Sequence, residues 1–159
     1  MKNKLNILID STYILPAFGI GVSEIDDEDL IKLELLRKKK IVEFYYSDIV
    51  WIEIIPKVQR EYKKKRVQLD TKTLIENIKS LRDTFKIAQI GPRAIKIAFK
   101  LRQLGHKDII DNLLYGISRE HRLYLLTLDR TFKSFLENRG LDTSIIINHI
   151  ELFKKLSIT

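Results

Sequence analysis

Four carboxylates stand beside the apolar runs of this chain. Asp10 follows the run Leu5–Ile9 directly, and Glu53 lies six positions after Ser47. Asp111 falls near the start of a helical stretch, and Asp129 comes two residues after Thr127. Four carboxylates gathered within a few ångströms repel, and some stay protonated unless a cation intervenes. An oxygen-only ligand set suits a hard ion, Mg²⁺ or Mn²⁺, rather than zinc. One or two such ions can activate water and stabilise the charge that develops on a phosphodiester during in-line displacement. Each acid also has a local explanation. Asp10 and Asp129 are suited to cap the helices that follow them, Glu53 to face solvent, and Asp111 to sit favourably at a helix N-terminus. The chemical reading therefore rests on their joint placement.

The elements that must position these acids are legible from periodicity. Short apolar, β-branched runs predict strands at Leu5–Ile9, Ile41–Tyr46, Phe85–Ile90 and Leu123–Thr127, with a short edge strand at Ser144–Ile147. Helices are predicted between them. One runs from Asp26 to Lys39 with Ser23 as its cap. Another, capped by Ser47, runs from Asp48 to about Arg66, and Pro56 should kink or interrupt it. Leu74, Ile78, Leu81 and Phe85 form an amphipathic stripe over 71–85. Gly91 and Pro92 open a helix that Gly105 ends, and Asp108 to His121 carries Ile110, Leu113, Leu114 and Ile117 on one side. Two short helices follow, from near Thr131 and over His149–Leu156. Strand alternating with helix implies an α/β fold: one three-layer domain over 1–159 with a mostly parallel sheet of four or five strands. In such sheets the active crevice lies beyond the carboxyl ends of the strands, where all four acids converge.

Composition narrows the functional classes. The 159 residues are 45% hydrophobic and 31% charged, which is globular rather than disordered. Cysteine is absent, which excludes disulfides, thiolate metal sites and cysteine nucleophiles. His106, His121 and His149 stand too far apart for a local metal pair and read as structural or surface residues. Tyr45, Tyr46 and Trp51 read as core packing before base stacking. No apolar run reaches the roughly 18 residues of a membrane span, so no membrane association and a cytoplasmic location are expected. Net charge is +8, which favours phosphate-rich partners. Six of the ten residues from Lys57 to Arg66 are basic. Lys63, Lys64, Lys65 and Arg66 are the candidate contacts for RNA, with Arg93 and Lys96 expected near the same rim.

The residues together resemble the PIN domain family, which includes the VapC-type toxins of prokaryotic toxin–antitoxin pairs. Its opening motif, an apolar strand followed by Asp, Ser or Thr and an apolar pair, matches Ile7 to Ile14, ILIDSTYI. Its second acid follows a Ser-led helix start, as in Ser47 to Glu53, SDIVWIE. The third stretch, Asp111 to Ser118, DNLLYGIS, also matches, with His121, Thr127, Asp129 and Phe132 at the spacings that follow it. The resemblance spans Ile7 to Phe132 and implies a metal-dependent ribonuclease acting on single-stranded or structured RNA. It implies Asp10, Glu53, Asp111 and Asp129 as ligands of Mg²⁺ or Mn²⁺, supported by Thr127 and by Ser11 or Thr12. A homodimer and an antitoxin partner are implied as well. The chain departs from the family pattern at Asn112, where a small residue is usual, at the bulky Tyr115, and at Pro56. Asp108 offers a further carboxylate one helical step from Asp111. A PIN-shaped module that binds RNA or protein without cutting is the alternative, although an inactive copy would be expected to lose an acid. A phosphoacceptor receiver domain would need a lysine after a later strand, where this chain has Thr127, Leu128 and Asp129.

Overall fold

In the structure, a computed structural model that describes residues 3–157, the apolar runs pair into one sheet. Its strands are β1 (Leu5–Ile9), β2 (Val42–Tyr46), β3 (Lys86–Ile87), β4 (Tyr124–Leu126) and β5 (Ile146–Ile147). They lie in the order β3-β2-β1-β4-β5, and every pair is parallel. The sheet is thus fully parallel, with β1 at its centre. Successive strand residues point to opposite faces, yet Ile7, Leu8 and Ile9 are all buried, as are Leu125 and Leu126. Both faces are therefore covered, giving three layers. Each such aliphatic side chain contributes about 1.5–3 kcal/mol of burial, and this strip fixes the register on which the site depends.

The helices are α1 (Ser11–Ile14), α2 (Asp27–Lys38), α3 (Trp51–Lys64), α4 (Thr71–Thr84), α5 (Pro92–Gln103), α6 (Ile109–His121), α7 (Arg130–Asn138) and α8 (His149–Lys155). Among the described residues no helix is long and apolar enough to cross a membrane.

Local details depart from the pattern reading. The cap of α2 is Asp26, not Ser23: its carboxylate accepts from Asp29 N at 2.8 Å while Asp29 accepts from Asp26 N at 3.2 Å, a reciprocal box that Ser23 cannot offer. Ser47 occupies a cap position, but its side chain makes no capping bond, and a 3₁₀ turn (Asp48–Val50) precedes α3. Pro56 neither ends nor interrupts α3. It lies in the second turn, and both it and Ile52 are exposed, so the Ile52 carbonyl that loses its donor is left on the solvent side. The run Phe85–Ile90 yields only the two-residue β3, because Phe85 closes α4 and packs edge-on against Phe44, with ring centroids 6.0 Å apart.

Helices α5 and α6 pack as an antiparallel pair. His106, just after α5, bonds Asn112 in α6, with 2.8 Å from ring nitrogen Nδ1 to the amide oxygen. At the other end, the Glu120 carboxylate accepts from the backbone N–H groups of Gly91, Arg93 and Ala94 at 3.0, 3.1 and 3.3 Å. Gly116 permits the close approach: a Cβ there would stand 2.5 Å from the Ala94 carbonyl oxygen and 2.9 Å from its Cα. Backbone cannot yield as a side chain can. Gly116→Ala is expected to destabilise the fold by about 2–3 kcal/mol, the cost of overpacking a core. Thermal melting should then show a drop of roughly 4–10 °C; an unchanged Tm would mean that the two helices separate freely.

Candidate active site

Backbone capping places two of the four acids. Asp10 ends β1, donates its N–H to the Leu126 carbonyl across to β4 at 3.2 Å, and caps α1 by accepting from Thr12 N at 2.9 Å. Asp129 caps α7, accepting from Phe132 N at 2.8 Å, and donates its own N–H to Thr127 Oγ1 at 3.1 Å. The local explanation for these two acids is therefore correct as far as it goes. Asp111 sits in the first turn of α6, where a negative charge is favourable, while Asp108 caps that helix by accepting from the Ile110 and Asp111 N–H groups at 2.9 and 3.2 Å, so the local explanation holds for Asp111 too. It does not cover Glu53, in the first turn of α3, which is half-buried and whose Oε2 receives a 2.6 Å hydrogen bond from the Ser11 hydroxyl.

All four line one open cleft of about 300 Å³. It lies at the carboxyl ends of β1 and β4, where the chain order of the sheet reverses and parallel α/β folds form their binding crevices. Asp108 and Glu24 join them there, so six acids face a single cation, Lys57, among the lining residues. The Lys57 ammonium donates to Ser11 Oγ at 3.4 Å and stands 3.9 Å from Glu53 Oε1.

One lysine does not balance six carboxylates. Burial pushes Asp111 up to about 8, and repulsion from Asp108, Asp129, Glu53 and Asp10 adds to it. Burial likewise raises Asp10 to about 6, with Glu53 adding repulsion, although the Thr127 hydroxyl and the Thr12 N–H pull the other way. The donor chemistry fits a hard divalent cation: carboxylate oxygens only, with negative charge that the protein leaves uncompensated. Among the described residues, no three acids or histidines yet stand close enough to form a ligand shell. The site as built is a cleft lined by six carboxylates and one lysine.

Of the residues expected to meet RNA, Lys63 and Lys64 close α3, with Lys65 and Arg66 just beyond, all exposed. Ten residues of helix separate Lys63 from Glu53, about 15 Å. Arg93 and Lys96 do not lie on the acidic rim. Glu120 ties the start of α5 to the last turn of α6, whereas Asp111 is in the first turn, so these cations stand at the far end.

Two cleft residues were absent from the candidate set. Lys57 carries a signal, its i,i+4 spacing from Glu53; Glu24 is hidden in an acidic stretch that suits the start of α2. His149 is buried between Tyr13 OH, 2.9 Å from its Nδ1, and Asp29, 3.3 Å from its Nε2, and so ties α8 to α1 and α2. His121 Nε2 lies 2.8 Å from the Gln89 carbonyl oxygen. The departures at Asn112 and Tyr115 are structural. Asn112 donates to the His106 carbonyl at 3.1 Å, and Tyr115 OH donates to the Asp142 carbonyl at 2.8 Å, both facing away from the acids.

Comparison with known proteins agrees with this architecture. The PIN domain family model matches residues 7–136. PAE2754 from Pyrobaculum aerophilum is similar in structure, with a TM-score of 0.60, 14% identity and coverage of 99% of this chain and 98% of that one. VapBC2 from Rickettsia felis, solved bound to a DNA fragment from its promoter, also scores 0.60, at 17% identity over 91% of this chain and 98% of that one. At those identities the likeness is one of fold. No curated protein sequence matches the chain.

Proposed function

Because the chain belongs to the PIN domain family, we propose that it is a metal-dependent endoribonuclease. The observation that carries this reading is the cleft at the carboxyl ends of β1 and β4, with six acids and one lysine. Asp10, Glu53, Asp111 and Asp129 would hold Mg²⁺ or Mn²⁺. When bound, such an ion supplies acidification of the attacking water and a counter-charge for the phosphate. Hydrolysis then needs no side-chain nucleophile: water adds to phosphorus, one bridging P–O bond breaks, and the leaving oxygen takes a proton.

The protein's own groups set the stage. Thr127 steadies both Asp10 and the backbone of Asp129, and Ser11 fixes one oxygen of Glu53. Asp108 adds repulsion that keeps Asp111 reluctant to ionise without a cation. Lys57, half-buried at the mouth, is the group suited to meet a phosphate oxygen of the substrate. Lys63, Lys64, Lys65 and Arg66 continue the positive charge along α3 for flanking phosphates. The family and the likeness to VapBC2 favour, for this chain, a place as the toxin of a toxin–antitoxin pair with an antitoxin partner.

Incubating purified protein with a labelled single-stranded RNA tests the reading. Cutting in Mg²⁺ or Mn²⁺ that EDTA abolishes is the expected result; binding without cutting in any metal would favour a non-catalytic RNA-binding module. Lys57→Met is expected to raise KM for RNA about 10–100-fold, the value of a hydrogen bond to a charged group, with the Mn²⁺ midpoint unchanged. Rates measured against RNA concentration at saturating Mn²⁺ separate the two. An altered Mn²⁺ midpoint with normal KM would instead make Lys57 a counter-ion of Glu53.

A further inference from the structure

The charge of this protein is divided between the two ends of β4 and α6. At the carboxyl end of β4 lies the acidic cleft. At the other end, two adjoining clefts of about 360 and 560 Å³ share Arg93 and Arg119 in their walls. The first runs along α5 past Lys96 and Lys100; the second reaches the starts of β4 and β5 through Arg122 and Lys155. Six cations line them against one acid, Asp142, the reverse of the acidic cleft. Asp142 is already engaged: it pairs with Arg119 and accepts from the Ser144 N–H and hydroxyl at 2.9 and 2.6 Å. Glu120, close by, is committed to the backbone N–H groups that open α5. What remains exposed is positive. Arg93, Lys96 and Lys100 fall at i, i+3 and i+7, one stripe of α5 about 10 Å long, and all three are exposed.

We infer that these two clefts form a track that binds the phosphate backbone of RNA outside the acidic cleft. The inference rests on the ribonuclease reading for its choice of RNA. Its physical basis is independent of catalysis. A cleft with six carboxylates and one lysine repels a polyanion when no divalent ion is present, so a substrate must be gripped elsewhere. Asp111 and Arg119 are eight residues apart on α6, about 12 Å along its axis. Because α5 runs antiparallel to α6, the stripe leads from Arg93, beside the end of α6, back to Lys100, level with its first turns. An RNA that fills the whole stripe makes more phosphate contacts, so the track favours longer RNA over very short oligonucleotides. The contacts are to phosphates, so they select for length and charge rather than for base identity.

The test is anisotropy of a fluorescent 20-nucleotide single-stranded RNA in EDTA over a salt series. Two variants each lose three charges: Arg93→Gln/Lys96→Gln/Lys100→Gln in the track, and Lys38→Gln/Lys39→Gln/Lys40→Gln at the end of α2. The wild type is expected to bind without metal. The track variant should bind at least tenfold more weakly, with the slope of log K on log salt smaller by about 2, since each single-strand phosphate contact contributes about 0.7. The α2 variant should match the wild type. Equal binding by wild type and track variant, equal weakening by both variants, or no wild-type binding in EDTA overturns the track. In Mn²⁺, the track variant should lose cleavage of the 20-mer but keep cleavage of a trinucleotide. A wild type that binds in EDTA yet cuts nothing in any metal retires the ribonuclease reading and leaves the track standing.

Discussion

Replacing Asp10 and Asp129 together by asparagine is expected to lower metal-stimulated RNA cleavage by at least about 10³-fold. Losing even one group that supports a metal ligand costs 10–100-fold in affinity or activity, and here two ligands go at once. The choice of asparagine matters. Asp10 and Asp129 both cap helices, through Thr12 N–H and Phe132 N–H, and asparagine caps about as well as aspartate. The fold should therefore survive, with the circular dichroism spectrum unchanged. Asparagine also removes two negative charges from a cleft in which like charges repel, so the metal-free variant should melt no lower than the wild type. A double variant that still cuts at the wild-type rate in Mn²⁺ would assign the cleavage to a contaminant or to other residues. The same outcome would remove the acidic cleft from the mechanism.

The second large effect concerns pH. Asp111 and Asp10 sit at about 8 and about 6 in the folded protein, both above their ordinary value of 3.8. Between about pH 4 and 8 the folded state thus holds protons that the unfolded chain has released. Stability rises with pH only where the unfolded state binds more protons, and here the opposite holds. The metal-free protein should lose stability as pH climbs through 6 and then 8. Part of the repulsion is shared and both side chains keep some contact with solvent, so the loss is on the order of 2–4 kcal/mol, or about 5–10 °C in Tm. The groups held below their usual range, among them Glu34, Glu43 and Asp142, act in the opposite sense, but at acidic pH. Melts in EDTA at pH 5, 7 and 9 should fall steadily. Mn²⁺ should reverse the trend, because binding displaces the protons and grows stronger as they leave. Asp111→Asn should flatten most of the EDTA curve; a wild-type curve already flat from pH 5 to 9 would contradict the crowding of charge in this cleft.

How much of this was open to a reader of the chain alone depends on the range of the interaction concerned. Leu5–Ile9 followed by Asp10 is a local pattern, and the strand and its terminal acid fell where that pattern put them. Asp111, in the first turn of α6 behind its cap Asp108, and Asp129, itself the cap of α7, were likewise placed by interactions a few residues long. Their arrival in one cleft followed from the parallel sheet, since a run of strands joined by helices brings every strand end to the same edge. The cap of α2 and the continuity of α3 through Pro56 turned on single hydrogen bonds and on which side of a helix faces water, below the resolution of apolar periodicity.

The sequence by itself determined the α/β class, the strand set and the positions of the four acids at strand ends and helix starts, because each depends on neighbours close along the chain or on a topology those neighbours dictate. Only the tertiary structure decided where the positive charge lies. Arg93 and Lys96 were expected near the catalytic rim, but the Glu120 carboxylate ties the start of α5 to the far end of α6, 27 residues from Arg93 along the chain. Glu24 and Lys57 entered the cleft in the same way, through packing between distant segments. A charge on the surface obeys no periodicity. Its place is set by the element that carries it, and that element is placed by contacts its own segment does not contain.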